Sequence, residues 1–325
     1  MTRLTLVVPV RDVAPYIAPC LTSLARNVGH DDQVILVDDA SSDDTPEIVE
    51  SFRGRVPGLE VVRNAQAHGL AGARNDGLDR AEGRYIAFLD GDDWLAPGTL
   101  DGMVHAIERL GVDFVRVDHV KVLDKRRVVS RAPEGRRNRP LDPRSSINPA
   151  TETTMVDYAY AWAGVFDRRL LDGGLLRFDS GLHTAEDRPW VWRLHRRAES
   201  YGVASVLGHM YRRGVSSSLT QIGDRRQLDY IRSFEIVLAE AAADPEADVL
   251  LPKALRSYFS VMAHHLRHEK RMTAGLRHEH HRLARQSLRR VDAGLRASVL
   301  SGMGRRGRAL DLLRLGLPNV MRMPL

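Results

Sequence analysis

The chain of 325 residues has one cysteine, Cys20, so no internal disulfide can form, which fits a reducing cytoplasm. It has no run of about 18 apolar residues, which excludes a membrane-spanning helix. The N-terminus, Met1-Thr2-Arg3 before apolar Leu4 to Val8, is too short for a signal peptide and lacks a small-residue cleavage site. A cytoplasmic protein is therefore expected. No Gly-x-Gly-x-x-Gly follows the first apolar segment, which argues against a dinucleotide dehydrogenase, and the lack of a Walker loop argues against phosphoryl transfer of the P-loop kind. The Gly-rich basic loop that a nucleotidyltransferase would carry there is also missing, since the chain reads Arg11-Asp12-Val13-Ala14.

What is present is the balance of a folded protein, 43% hydrophobic and 28% charged. The net charge of +6 conceals an asymmetry. From Leu251 onward sixteen Lys or Arg face four acids, leaving +12 on this tail and −6 on residues 1–250. Such a tail suits an anionic partner or a solvated helical face.

The first 120 residues alternate between two periods. Leu4 to Val10 is a nearly continuous apolar run, as in a strand buried on both faces. Ile17, Leu21, Leu24 and Val28 then mark an amphipathic helix. Further strands are expected at Val34–Val37, Leu59–Val62, Tyr85–Leu89 and from Phe114. The helices between them are expected from Ser42, as N-cap, through Phe52, from Leu70 to Ala81, and from Pro97 to near Gly111. This order predicts an α/β fold, an open, mostly parallel sheet with helices on both faces, whose ligands bind beyond the strands' carboxyl ends. Residues 124–150 read as a hairpin or mobile loop, and 184–198 as a helix before a strand at Val203–Tyr211. Helical patterns follow at roughly 224–242, 247–269, 273–293 and 298–315.

The polar residues concentrate at the strand ends. Asp90-Gly91-Asp92-Asp93 follows an apolar strand, where carboxylates two apart can share ribose and metal duties, although acidic turns are also ordinary turns. Asp39 can accept from a pyrimidine N–H and Asn64 can donate and accept; a helix cap is the plainer reading of Asp38-Asp39-Ala40-Ser41-Ser42. Arg74, among small residues, suits a phosphate or a salt bridge. Glu186-Asp187 opens a helix, so its acids serve either the helix dipole or proton abstraction from an acceptor hydroxyl by Asp187. The six tail histidines lack zinc-like spacing and read as a solvated basic helix. Cys20 reads as a core residue.

Together these motifs resemble family 2 glycosyltransferases over about residues 3–220. The resemblance implies a GT-A (Rossmann-like) domain at 1–222, with a donor half at about 1–120 and an acceptor half at 121–222, and a basic C-terminal helical region at 223–325. It implies a nucleotide-sugar site of Pro9, Val10, Arg11, Asp39, Asn64, Arg74, Asp90, Gly91 and Asp92, with Asp92 as ligand to Mn²⁺ or Mg²⁺ and Asp90 near the ribose. The catalytic element would be Glu186 and Asp187, with Asp187 as base of an inverting transfer. Trp162 and Gly164 would wall the acceptor site, and Arg212 and Ser217 would lie in a segment closing over the donor. The family's closing segment often supplies a metal-binding histidine; here Arg213-Gly214-Val215 follows Arg212, and His209 reads as packed.

The implied reaction moves sugar from a nucleotide-diphosphate donor, UDP-linked by expectation, to a hydroxyl of a glycan, wall polymer or lipid-linked acceptor. The competing reading is a non-catalytic carbohydrate- or anionic-polymer-binding protein on the same scaffold. The basic tail would hold an anionic acceptor, attach the chain to the inner membrane surface, or build a homo-oligomer interface; nucleic acid is not expected.

Overall fold

A computed structural model describes residues 2–215 and 222–316. Strand β1 (Leu4–Val10) is central and buried along its whole length, which explains its unbroken apolar sequence. Helix α1 (Ala14–Leu24), β2 (Asp32–Asp38), α2 (Thr45–Glu50), β3 (Leu59–Arg63), α3 (Gly69–Leu78) and β4 (Tyr85–Phe88) follow. After the acidic turn come β5 (Trp94–Leu95), α4 (Thr99–Leu110), β6 (Phe114–Leu123), β7 (Arg126–Ser130), β8 (Gly164–Asp167), α5 (Arg168–Asp172), α6 (Asp187–Arg197) and β9 (Tyr201–Arg212). The tail forms α7 (Asp229–Ala242), α8 (Ala247–Arg267), α9 (Ala274–Arg290), α10 (Ala293–Ser301) and α11 (Arg305–Leu315).

The nine-stranded sheet runs β3-β2-β1-β4-β8-β6-β9-β5, with β7 paired to β6. Strands β3, β2, β1 and β4 are parallel, as expected of the donor half. The rest of the sheet adds antiparallel pairs at β4–β8, β8–β6, β6–β7 and β5–β9, so the whole sheet is mixed. Successive side chains alternate between faces. Leu6 and Val8 pack with α1 and α4, whereas Val7 shares a second core with Phe88, Phe166 and Trp190.

That second core continues without a break into the tail, through Tyr230, Phe234, Tyr258, Phe259, Leu288 and Leu313. The helical region thus shares the core on the face of the sheet that carries Phe88 and Phe166. Arg196 reinforces the junction by bonding Glu240 and Asp244. Two of the six histidines expected in solvent are interior: His280 is fully buried with Nε2 at 2.8 Å from the Tyr230 hydroxyl, and His265 stacks on the Tyr230 ring at 4.3 Å. Their reason is packing, since both rest against the Tyr230 ring of α7. Among the described residues no helix is long and apolar enough to cross a membrane, and no group of three or more His, Cys, Asp or Glu is arranged to hold a metal ion.

Candidate active site

The parallel register Val10↔Asp38, Asp38↔Arg63 and Val7↔Phe88 brings four strand ends to one edge. The loops that leave them lock together. Asp39 donates its amide to the Val10 carbonyl. Its carboxylate accepts from the His68 and Gly69 amides at 2.7 and 2.9 Å, and from Asn64 Nδ2 at 3.0 Å. Asp39 thereby serves the start of α3 while facing the cleft. Asn64, expected against the base, does not line the cleft; its amide is held behind Asp39, shared with Asp76 at 2.8 Å. Ser42 does not cap α2. Its amide and hydroxyl both go to Asp12 Oδ1, the helix starts at Thr45, and Asp43 accepts from the α1 amide of Ala14. Pro9, Val10 and Arg11 line the same wall.

The acidic turn sits on top of β1. A Cβ at Gly91 would lie 2.6 Å from Val10 Cγ1, so only glycine lets the turn come this close. Asp93 is fully buried, accepting from the Arg212 amide at 2.7 Å, with His209 Nε2 at 3.1 Å from its other oxygen. Burial raises the Asp93 carboxyl well above the usual range and lowers the His209 imidazole to about 3, so the interior disfavours the charged form of each. His209 also stacks on Trp162 at 4.0 Å; it is a packed residue, as its strand position implied. Arg212, expected over the donor, instead turns behind the turn: Nε donates to the Asp92 carbonyl, and its guanidinium lies over Trp94 and Tyr16. Ser217 lies outside the described residues.

Asp92 differs from its neighbours. Among the described residues its carboxylate has no hydrogen-bond or ion-pair partner, and it faces the cleft. Burial first, then the charges of Asp93 and Asp90, push it up to about 8. Such under-compensated carboxylates suit a divalent cation, and Mg²⁺ or Mn²⁺ needs one or two protein carboxylates when diphosphate and water complete the shell. The donor set therefore fits, with Asp92 as the carboxylate that would hold it and Asp90, paired with Arg74, beside it.

Glu186 and Asp187 begin α6 from a strained entry, for Ala185 has φ 59. The tail holds this entry. The Asp229 carboxylate accepts from the His183 amide, Thr184 donates to the Arg226 carbonyl, and Ser233 donates to the Ala185 carbonyl at 2.8 Å. Arg74, expected at a phosphate, is buried between two acids: one terminal nitrogen donates to Glu186 at 2.7 Å and the other to Asp90 at 2.8 Å. Both ends of its fork are used, so it ties the acidic turn to the start of α6. Asp187 has no partner among the described residues and faces the cleft. Surrounding protein first, and the Glu186 charge second, push its carboxyl up to about 7, while Arg188 and Arg74 oppose the rise.

The wall expected at the acceptor contains Tyr160, Trp162 and Tyr211, which line the cleft. Gly164 does not join it. It pairs with Arg116 in the sheet, where a Cβ would meet the Val115 carbonyl at 2.3 Å. The fully buried Arg116, which sequence reasoning missed, donates to the Tyr158 and Tyr160 carbonyls and so fixes this wall. Also missed was the far side of the cleft, built from α8. Lys253, with Nζ 2.5 Å from Asp157, joins that helix to the acceptor loop. The legible signal was a polar stripe at 253, 256, 257, 260, 264, 267 and 268, at helical spacing within a chain segment otherwise read only for charge. The whole cleft encloses about 1690 Å³, well beyond the ~300–1,000 Å³ of small-molecule sites.

A crevice at the ends of parallel strands, walled by carboxylates and continuing into an aromatic-lined groove, is where an open α/β sheet binds its ligands. Residues 5–170 match the model of Glycosyl transferase family 2, and the chain belongs to that family. It is 31% identical over 228 residues to the protein described as "Uncharacterized glycosyltransferase EpsJ" of Bacillus subtilis, covering 69% of this chain and 65% of EpsJ. It is 25% identical over 272 residues to the poly(ribitol-phosphate) beta-N-acetylglucosaminyltransferase TarS of Staphylococcus aureus, covering 80% of this chain and 45% of TarS. The chain thus spans less than two thirds of either relative. In fold it is similar to S. aureus TarS 1–349 in complex with UDP-GlcNAc, with a TM-score of 0.77 at 20% identity, covering 98% of this chain and 89% of that one. A mannosyltransferase of Pyrobaculum calidifontis, in complex with GDP-Man and Mn²⁺, is more distant, with a TM-score of 0.50 at 19% identity, covering 96% and 87%. The GT-A fold with a C-terminal helical region is shared with TarS.

Proposed function

We propose that the chain transfers a sugar, with inversion, from a UDP-sugar to a hydroxyl of a glycan, wall polymer or lipid-linked acceptor, using Asp187 as general base. One observation carries this reading. Of the acids gathered at the strand ends and at α6, Asp39, Asp90, Asp93 and Glu186 are engaged by protein groups, whereas Asp92 and Asp187 face the cleft without a partner among the described residues. A free carboxylate raised to about 7 has the proton affinity a base working near neutrality needs. Asp187 takes the acceptor hydroxyl proton as that oxygen bonds to the anomeric carbon. The bond from that carbon to the diphosphate oxygen breaks on the opposite face, and the nucleoside diphosphate leaves with the electron pair. No second carboxylate is required as nucleophile, which is why the configuration inverts. Bound Mn²⁺ or Mg²⁺ would offset the charge of the leaving diphosphate. Pro9, Val10, Arg11 and Asp39 bound the nucleotide end in this reading, and Arg74 holds Asp90 and Glu186 at a fixed spacing. The name of TarS and the UDP-GlcNAc in the TarS structure support a UDP-linked donor and a polymeric acceptor. We retain the division into a donor half at 1–120, an acceptor half at 121–222 and a helical region at 223–325 as an organisational proposal.

The test is Asp187→Asn, assayed by UDP release from UDP-sugars with Mn²⁺ over glycan and polyol-phosphate acceptors. Transfer should fall by roughly 10²–10⁴-fold while Mn²⁺-dependent UDP binding persists. Full activity in the variant would remove Asp187 as base, and UDP binding indifferent to chelation would remove the metal. Absence of any transfer by the unaltered chain would leave a binding protein.

A further inference from the structure

We infer that the acceptor is a phosphate-bearing polymer and that its chain lies along one face of α8. This deepens the proposed transfer reading and rests on it. The sheet side of the cleft is acidic and the opposite side is cationic. Arg256, Ser260, His264, Arg267 and His268 all line the cleft, at steps of four, four, three and one. Those steps keep them on one stripe of the helix, over about 18 Å at 1.5 Å per residue. The opposite stripe, with Leu255, Phe259, Met262 and Leu266, is buried in the core, so the orientation of α8 is fixed by packing. Arg306, at the start of α11, and Arg188, next in sequence to Asp187, add to the cationic lining.

The arginines are not spent on protein acids. Among the described residues Arg188, Arg256, Arg267 and Arg306 have no carboxylate partner; Arg188 and Arg256 reach only the carbonyls of Asp157 and Gly302. Elsewhere in the fold, by contrast, Arg144, Arg193 and Arg196 are each paired with acids. Like charges lining one groove without counter-ions repel one another, and guanidinium forks match phosphate oxygens. The rings of Tyr160, Trp162 and Tyr211 stand on the sheet side, with Tyr160 close enough to Asp187 to feel its charge. A sugar or polyol unit would therefore present its hydroxyl there, with its phosphodiester neighbours following α8 outward. A neutral glycan would leave the arginines uncompensated, and a flat lipid surface would not enter a cleft.

The test measures binding of a synthetic oligo(ribitol phosphate) by the full chain, beside a neutral malto-oligosaccharide of equal length and phosphatidylglycerol-containing vesicles. Salt-sensitive binding of the phosphate oligomer alone is expected. Arg256→Gln/Arg267→Gln should weaken it roughly tenfold, with Mn²⁺-dependent UDP binding unchanged. Arg306→Gln, on a different helix, should weaken it by a smaller factor. If the double variant loses UDP binding through misfolding, Arg306→Gln decides: unaltered oligomer affinity in that variant overturns the inference. Equal affinity for the neutral oligosaccharide, or vesicle binding with the same sensitivity to these substitutions, also overturns it. Oligomer binding by a chain that fails to bind UDP would sink the donor reading and leave this one standing.

Discussion

Replacing Arg74 by methionine tests whether the acidic turn and the start of α6 are held by one buried cation. Arg74 is 2% exposed, with terminal nitrogens 2.8 Å from Asp90 and 2.7 Å from Glu186. Burial works against its charge, yet the two carboxylates outweigh it and the guanidinium is raised overall. Removing one partner of such a buried network costs about 3–5 kcal/mol, because the remaining charges lose their compensation. With 325 residues at about 2.1 cal/mol/K each, the unfolding entropy is roughly 0.7 kcal/mol/K, so Tm should fall by about 4–7 °C. The Arg74 charge also holds the Asp187 carboxyl down, so its loss should move the acidic limb of kcat/KM to higher pH. Differential scanning calorimetry and a pH–rate series measure both. Arg74→Lys keeps a charge but cannot span both acids, and should fall between. A methionine variant within about 1 kcal/mol of the parent, with an unmoved acidic limb, would refute the coupling.

The parent enzyme should itself lose kcat/KM as pH falls through about 7, because Asp187 must be ionised to accept a proton; a flat profile there would exclude it as the base. Asp92→Asn should abolish Mn²⁺-dependent UDP binding, read by calorimetry. The folded Asp92 carboxyl ionises near 8 and its unfolded counterpart near ~4, so metal-free stability is present below the lower value and lost as pH rises through the higher. The Asn variant should therefore lose less Tm than the parent between those limits, and an identical loss would contradict this. Gly91→Ala drives a methyl to 2.6 Å from Val10 and should cost ~1–3 kcal/mol in chemical denaturation, with weakened nucleotide binding.

Period carried most of the donor half. Alternation between short apolar runs and helical stripes marked β1 to β4 and their helices, because central parallel strands are apolar on both faces. Contacts distant in sequence escaped it. Two residues, Trp94 and Leu95, have no period to read, and their strand exists because β9 pairs with them. Ser42 looked like a cap until Asp12, thirty residues earlier, took its amide. Arg74 next to small residues reads equally as a phosphate or a carboxylate ligand, and only Glu186, more than a hundred residues later, decides. The histidines of α8 and α9 looked solvated because their neighbours are charged, while the ring that encloses two of them, Tyr230, sits on another helix.

The three contacts from Arg226, Asp229 and Ser233 to residues 183–185 bear on engineering. Exchanging C-terminal helices between relatives at the junction near 222 is an obvious route to new acceptor specificity. In this chain that cut would carry away the groups that hold the turn before Asp187, so a chimera would change the α8 side of the cleft and loosen that turn together. A graft that keeps 223–233 and exchanges only the chain beyond residue 233 would separate the two, making recognition and chemistry independently adjustable.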